Sequence, residues 1–306
     1  MIQGGNRMAK TSSYPVLVLC GRDRGRRGML DQLDPDNIYP SKVLLPMHGK
    51  PLLEWQIEAL QASPYVRKLY LIGLQEDDYP FSPDIQIIPF ETASSIQDKI
   101  LAGWNAISGL DDDLEHLVIS TADAPAITTS SINQFFSALE QNQDADILLA
   151  GVPEYITDRE IPDHKRFIAK FTDKPVHIGE MGALRGQSIP ILVNEIESLT
   201  NWARQLKRLD GNVKTSSVLS FLAFNPSLTL KIFQYFSRRP ELIRLMYKYY
   251  SGSLSLPEFE RIFSSYLGLE LRVTIIPDAG FGMDMDLAED YQKLSDYLTR
   301  TKLTVV

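Results

Sequence analysis

The sequence predicts an α/β fold on a mainly parallel sheet, and three features of the chain lead there. Short apolar, β-rich runs at 14–20, 66–74, 85–89, 116–121 and 145–152 alternate with stretches of helical period at 51–60, 94–107 and 130–141. That alternation is the pattern of strand–helix–strand units. The runs at 14–20 and 116–121 are apolar at successive positions, as strands buried on both faces are. Glycine- or aspartate-bearing segments follow the strands at Gly21, Asp123 and Gly282, where open α/β sheets bind ligands.

In chain order, Val16 to Cys20 feeds a glycine- and arginine-rich loop. Leu52, Leu53, Trp55, Ile57, Ala59 and Leu60 then form an amphipathic helix with Pro51 at its first turn. The 94–107 helix has Ser94 or Ser95 as its N-cap, because a serine hydroxyl accepts from an orphan helical N–H. The 116–121 strand stops at Ala122-Asp123-Ala124-Pro125. Beyond residue 155 the alternation weakens. Strands are expected at 167–171, 188–193 and 271–276, and helices at 199–209, 228–248, 257–267 and 287–300. This organisation divides into a flexible tail (1–14), a core (15–199 and 268–306) and a helical insertion (200–267).

Composition narrows the function. The 306 residues are 44% hydrophobic and 23% charged, a globular balance that excludes collagen-like and disordered classes. Cys20 is the single cysteine, so neither a disulfide framework nor a cysteine-rich zinc site is available. His48, His116, His164 and His177 form no close metal-binding pair. No apolar run reaches the roughly 20 residues of a membrane helix, and the first residues lack the apolar core of a signal peptide. A cytoplasmic location with no transmembrane segment is expected. The net charge is −8, yet residues 201–252 hold nine Lys/Arg against two acids. An acidic body argues against a nucleic-acid partner.

Three sets of residues carry chemistry. Gly21, Gly25 and Gly28 alternate with Arg22, Arg24, Arg26 and Arg27; glycine admits a phosphate close to backbone N–H groups and arginine forks match its oxygens. This is neither a Walker loop nor a GxGxxG, and a solvated basic loop is the alternative. Asp123 is placed to hold Mg²⁺ through oxygen, or to serve as a turn or cap residue. Asp284 and Asp286, two apart in extended chain, share a face; they chelate a metal, or Asp286 starts the next helix.

On these residues the chain resembles the MobA-like NTP transferases. Leu19-Cys20-Gly21 and Lys42-Val-Leu-Leu-Pro-Met-His-Gly49-Lys50-Pro51-Leu52-Leu53 are similar to the family's opening loop and its K-x-L-x-x-x-x-G-K-P-L-L segment. Thr121-Ala-Asp123-Ala-Pro125 is similar to its D-x-P motif, and Asp284-Met-Asp286-Leu-Ala-Glu289-Asp290 to its D-x-D-x-P-E-D ending. The resemblance implies a Rossmann-like three-layer α/β/α fold of the nucleotide-diphospho-sugar transferase type, with a mixed sheet. It implies transfer of an NMP from an NTP to a phosphorylated small-molecule acceptor, releasing pyrophosphate. Carried over by position, Leu19, Cys20, Gly21 and Arg22 contact the nucleotide, and Ser95 lies beside the base. Arg24 or Arg26 stabilises charge and Lys42 contacts phosphate. Asp123 binds Mg²⁺, or Mn²⁺ in its place, with Asp284 or Asp286 second. The chain departs from the pattern at Cys20 (Ala), Arg22 (Gly) and Leu287-Ala288 (Thr-Pro).

Two rival functions stay open at this point. A glycosyltransferase would use Asp284-Met-Asp286 as its metal site, although the Lys42 to Pro51 segment belongs to activation rather than transfer of sugars. A degenerate, non-catalytic nucleotide-binding relative would recruit a partner through the insertion. His164, Lys165, Arg166 and Lys170 are candidates for the acceptor phosphate. The apolar and basic 228–250 segment is expected to be covered by the domain itself, by a second subunit as a homodimer, or by an anionic lipid surface.

Overall fold

Strand β1 (Tyr14–Leu19) sits mid-sheet because both of its faces are apolar: Val16 and Val18 enter the core on one side and Leu17 on the other. The structure, a computed structural model, describes residues 13–21, 29–90, 95–111, 114–162, 168–196, 237 and 239–303. Strands β4 (Val66–Ile72) and β6 (His116–Thr121) flank β1 in parallel, and β5 (Ile85–Ile88) continues beyond β4. On the other flank, β9 (Val176–Arg185) runs antiparallel between β6 and β7 (Ile147–Pro153), and β10 (Leu271–Ile275) is parallel to β7. With β8 (Ile168–Ala169) paired to β9, the mixed sheet has eight strands in the order β10-β7-β9-β6-β1-β4-β5. A hairpin of β2 (Pro46–Met47) and β3 (Lys50–Pro51) stands apart.

Helices cover both faces, as expected of a three-layer fold. Helices α2 (Leu52–Gln61) and α4 (Thr129–Gln141) bring Leu53, Ile57, Phe135 and Phe136 against Val16, Val18 and Val118. Helix α3 (Ile96–Ser108) lays Ile100 and Ile107 on Leu17 and Leu117, and α7 (Leu256–Leu267) adds Phe259 and Phe263 to that side. Helix α6 (Pro240–Tyr250) packs on α7. A third cluster joins α1 (Leu30–Leu33), the hairpin, α5 (Glu154–Glu160) and α8 (Ala288–Leu298) through Leu30, Met47, Ile156 and Leu294.

Four elements differ from expectation. The 188–193 segment is helical, following a 3₁₀ turn at Gly186–Ser188. Ile189 and Val193, four apart, are buried while Ile191 is half exposed, a helical spacing that a six-residue apolar run conceals. Strand β9 escaped notice because Gly179 and Gly182 weaken its β signal; the strand tolerates Gly179 because a Cβ there would press Ala150 and Phe281 at 2.9 Å. Of 167–171, only Ile168–Ala169 pairs as strand. Of the single helix expected over 228–248, the described part begins only at Pro240, after Arg239, whose φ of −140° and ψ of 65° are non-helical. The 199–209 helix, residues 228–236 and most of the tail lie outside the described residues.

Two contacts shape the sheet's C-terminal edge. Gly73, at φ +103°, lets β4 turn against β1; a Cβ there would lie 2.2 Å from the Cys20 carbonyl oxygen. The π-helical turn Thr299–Leu303 delivers Lys302, whose Nζ donates to the carbonyls of Pro125 (3.1 Å) and Ile127 (2.9 Å). Burial, followed by the Lys50 cation, pulls the Lys302 pKa down to about 8.

Two outcomes are expected. Gly73→Ala should cost about 1–3 kcal/mol, the cost of a residue held in a disfavoured backbone region, and lower the melting temperature by several degrees; an unchanged melt would contradict the close approach. Lys302 releases its proton at lower pH when folded than when unfolded, near 10.4. Between those values the unfolded chain binds more protons, so its contribution to stability rises with pH. The melting difference between the protein and Lys302→Met should therefore shift in favour of the unsubstituted protein from pH 7.5 to 10, and a flat difference would refute the assignment.

Candidate functional site

The register of the central strands places the first two site segments side by side. Leu19, at the end of β1, pairs with Thr121, at the end of β6. Adjacent strands lie about 4.8 Å apart, so Gly21 and Asp123, each two residues further on, emerge as neighbours on the sheet edge. Cys20, the residue after β1, is fully buried, and burial raises its thiol pKa well above the ordinary range. It packs as a small apolar residue and does not act as a nucleophile.

Asp284 and Asp286 arrive from the opposite end of the sheet. After β10 the chain crosses the strand tips through a 3₁₀ turn at Ala279–Gly282. The crossing is close: a Cβ on Gly280 would lie 2.3 Å from the Ala126 carbonyl oxygen. In the Met-Asp-Met-Asp run, Met283 and Met285 are fully buried while Asp284 is half-buried and Asp286 exposed. Alternation thus turns both carboxylates toward the sheet edge. One carboxylate oxygen from each of Asp123, Asp284 and Asp286 lies within 4.8 Å of the others.

Lys42 reaches into this cluster from the 3₁₀ turn Lys42–Leu44. Its Nζ lies 2.6 Å from Asp123 Oδ2 and 3.2 Å from Asp286 Oδ1, and donates to the Met285 carbonyl at 2.5 Å. An ammonium has three protons, and three acceptors surround this one. Burial alone would lower the Lys42 pKa; the Asp123 carboxylate, and then Asp286, outweigh it and hold the pKa above the usual lysine value. The neighbouring Ser41 hydroxyl donates to the Gly21 carbonyl, so one turn fixes both Lys42 and the end of the β1 loop. The Gly49-Lys50-Pro51 segment has a structural explanation. His48 and Gly49 both take positive φ, 51° and 86°, as the two-residue turn of the β2–β3 hairpin requires.

The remaining sequence candidates divide in two. Ser95 caps α3, its hydroxyl accepting from Asp98 N and donating to the Asp98 carboxylate. Arg22, Arg24 and Arg26, together with His164, Lys165 and Arg166, lie outside the described residues.

The residues that position the cluster are not apparent from the sequence motifs. Gln56 is fully buried; its amide nitrogen donates to Ser120 Oγ at 2.7 Å and to the Thr121 carbonyl at 2.5 Å, and its oxygen accepts from Ala124 N at 3.4 Å. It spans the turn that carries Asp123. Its signal was a glutamine within the apolar stripe of α2. Buried Asp290 accepts from the N–H groups of Asp286 and Leu287, at 3.2 and 2.7 Å, and fixes the D-x-D segment as α8 begins. Glu180 accepts from the Thr121 hydroxyl at 2.7 Å, and Lys99 donates to the Cys20 carbonyl at 2.5 Å.

The donor set fits a divalent metal. Carboxylate oxygens are the hard ligands that Mg²⁺ and Mn²⁺ take. One carboxylate oxygen from each of the three residues lies within 4.8 Å of the others, so a single cation between them could take a ligand from more than one of them.

Comparison with known proteins bears on the same edge. The model of the MobA-like NTP transferase domain matches residues 17–178, more than half of the chain and the part that holds Lys42 and Asp123. No curated protein matches the sequence. A hypothetical transferase from Thermus thermophilus is similar in structure, with a TM-score of 0.60 at 20% identity over 91% of this chain and 99% of that one. A nucleotidyl transferase from Methanothermobacter thermautotrophicus aligns at 0.52 and 12% identity, over 94% and 99%. A CMP:2-keto-3-deoxy-manno-octonic acid synthetase complexed with CTP aligns at 0.50 and 10% identity, over 94% and 99%. At these identities the structural likeness establishes the nucleotide-sugar transferase fold alone. The family match establishes more: the chain belongs to the MobA-like NTP transferases, a nucleotidyltransferase family.

Proposed function

We propose that the protein transfers an NMP from an NTP to a phosphorylated small-molecule acceptor, with a divalent cation, Mg²⁺ or Mn²⁺, held by Asp123 and Asp284. The observation that carries this is the meeting of Lys42 with Asp123, Asp284 and Asp286 beside Gly21. An acceptor phosphate oxygen would attack the α-phosphorus, the α–β bridging P–O bond would break, and pyrophosphate would leave. Such a displacement needs in-line positioning and neutralised charge rather than a covalent nucleophile. The bound metal would supply neutralisation of the phosphate charge. Gly21 and the arginines after it would receive the triphosphate, and Lys42, a compact charge kept protonated by its carboxylates, would turn to a phosphate oxygen. Asp286, mostly exposed, would steady Lys42 or complete the metal's ligands. Cys20 and Leu19 would form the backbone floor, and Ser95 would lie toward the base. Within the proposed organisation, the core of 15–199 and 268–306 performs the chemistry and the 200–267 insertion shapes the acceptor side.

The test begins with melting temperature against the four NTPs and several NDP-sugars, with and without Mg²⁺. A ligand at 100 times its Kd adds about 2.7 kcal/mol. An NTP shift that requires Mg²⁺, together with pyrophosphate release once the acceptor is supplied, is the expected result. A shift with NDP-sugars alone would replace nucleotidyl transfer with glycosyl transfer. Asp123→Asn should lower kcat/KM by about 10²–10³-fold, the range seen when a single charge-stabilising group is removed, and abolish the Mg²⁺ dependence of the shift.

Lys42→Ala separates two roles of one side chain. Without nucleotide, the Lys42 ammonium competes with a metal for the same carboxylates, so the variant should bind Mg²⁺ more tightly than the unsubstituted protein. With nucleotide it should lose turnover. Equal Mg²⁺ affinity in calorimetric titration would show that Lys42 does not occupy the metal's place.

A further inference from the structure

We propose that the cavity between the sheet and helices α6 and α7 binds the apolar part of a small amphipathic molecule, which under the function proposed above is the acceptor. The cavity measures about 340 Å³, within the 300–1,000 Å³ range of small-molecule sites. Leu149, Gly151 and Val273 form its floor, and Leu245, Tyr249 and Phe259 its roof. The lining residues are aliphatic or aromatic apart from His177. A polar sugar phosphate would leave its hydroxyls unpaired against such walls, at a cost for each. A short alkyl chain or an apolar ring loses nothing there and gains from leaving water.

Position selects the acceptor as occupant. Leu149 and Val273 lie on the sheet face covered by α3 and α7, the face that also carries Ile119. Thr121 shares that parity on β6, and Glu180 bonds to it from β9. Ile178, on the cavity rim and 58% exposed, stands two residues before Glu180 on the same strand. That is about 7 Å at ~3.4 Å per residue. Strand β9 therefore leads from the cavity, past Ile178 and across a shift in its register against β7, to the Glu180–Thr121 bond beside the turn that carries Asp123. A molecule with its apolar end in the cavity can bring its polar end to the strand edge. Met246 and Tyr250 line the cavity and are 43% and 81% exposed, so its mouth presents apolar surface to an arriving ligand.

The probe is a homologous series of n-alkyl phosphates, butyl to octyl, titrated calorimetrically without nucleotide. A constant headgroup cancels across the series, leaving the chain. Each buried CH₂ contributes about 0.8 kcal/mol, or roughly fourfold in Kd. Kd is expected to fall about fourfold per methylene until the cavity is filled. Ala169→Phe, which fills the cavity, and Met246→Asp, which charges its exposed mouth, should each flatten that slope; using both guards against one failing to fold. A Kd independent of chain length, or an undiminished slope in both folded variants, would overturn the proposal. Flotation of the protein with anionic vesicles that is lost in Met246→Asp would also overturn it, by making the rim a membrane contact. Because the proposal rests on the transferase function only for naming the ligand, the two fail separately. A flat series with an intact Mg²⁺-dependent NTP shift removes the cavity site alone. A steep series with no NTP shift supports the cavity site and removes the transfer reaction.

Discussion

The ion pair between Lys42 and Asp123 is the constraint around which the strand edge is organised. It joins the 3₁₀ turn after the first loop to the end of β6, and through Asp286 and the Met285 carbonyl it ties both to a segment more than 240 residues later. Three carboxylates within 4.8 Å repel one another, and like charges at that separation raise the free energy of the folded chain. The ammonium among them offsets the repulsion, and the same arrangement keeps it charged against the effect of burial.

The supports beneath this pair are uncharged or serve as caps, and their nature follows from depth. Gln56 has no exposed surface, where a charge without a partner would be costly. An amide offers donors and an acceptor at no such cost, and Gln56 uses both to brace the turn at 120–124. Asp290 is buried as well, yet it accepts two backbone N–H groups at a helix start, where a carboxylate is favoured by the helix dipole. The chain therefore places its charged cluster at the edge and buried polar groups one layer below.

Local pattern carried much of this into the sequence. Strands β1 and β6 were legible from unbroken apolar runs, and α3 from Ser95 ahead of an amphipathic stretch. The D-x-P and D-x-D aspartates were legible from their places after strands. What the pattern withheld was tertiary. Strand β9 holds glycines that only its neighbours explain, Ala150 and Phe281 beside Gly179. The 188–193 run is apolar enough for either element, and only the burial of Ile189 and Val193 decides for helix. Lys302 gave no signal, because its partners are the carbonyls of Pro125 and Ile127, and backbone acceptors leave no trace in residue type.

The two ends of the sheet edge differ in kind, and under the proposed function each would serve a different part of the substrates. Charged groups concentrate at the strand ends, where segments crossing from both directions bring Lys42, Asp123, Asp284 and Asp286 together. Apolar surface must be kept from water, and on the β7–β10 side it is met by α6 and α7, whose inner residues are Leu245, Leu256 and Phe259. The antiparallel strand β9 connects the regions, contributing Val176 and Ile178 to the cavity and Glu180 to the hydroxyl of Thr121. That strand passes from apolar Val176 and Ile178 to acidic Glu180, across a shift in its register against β7. A reversal of strand direction at this position therefore does more than complete the sheet: it aims one strand from the side of α6 and α7 toward the turn that holds Asp123.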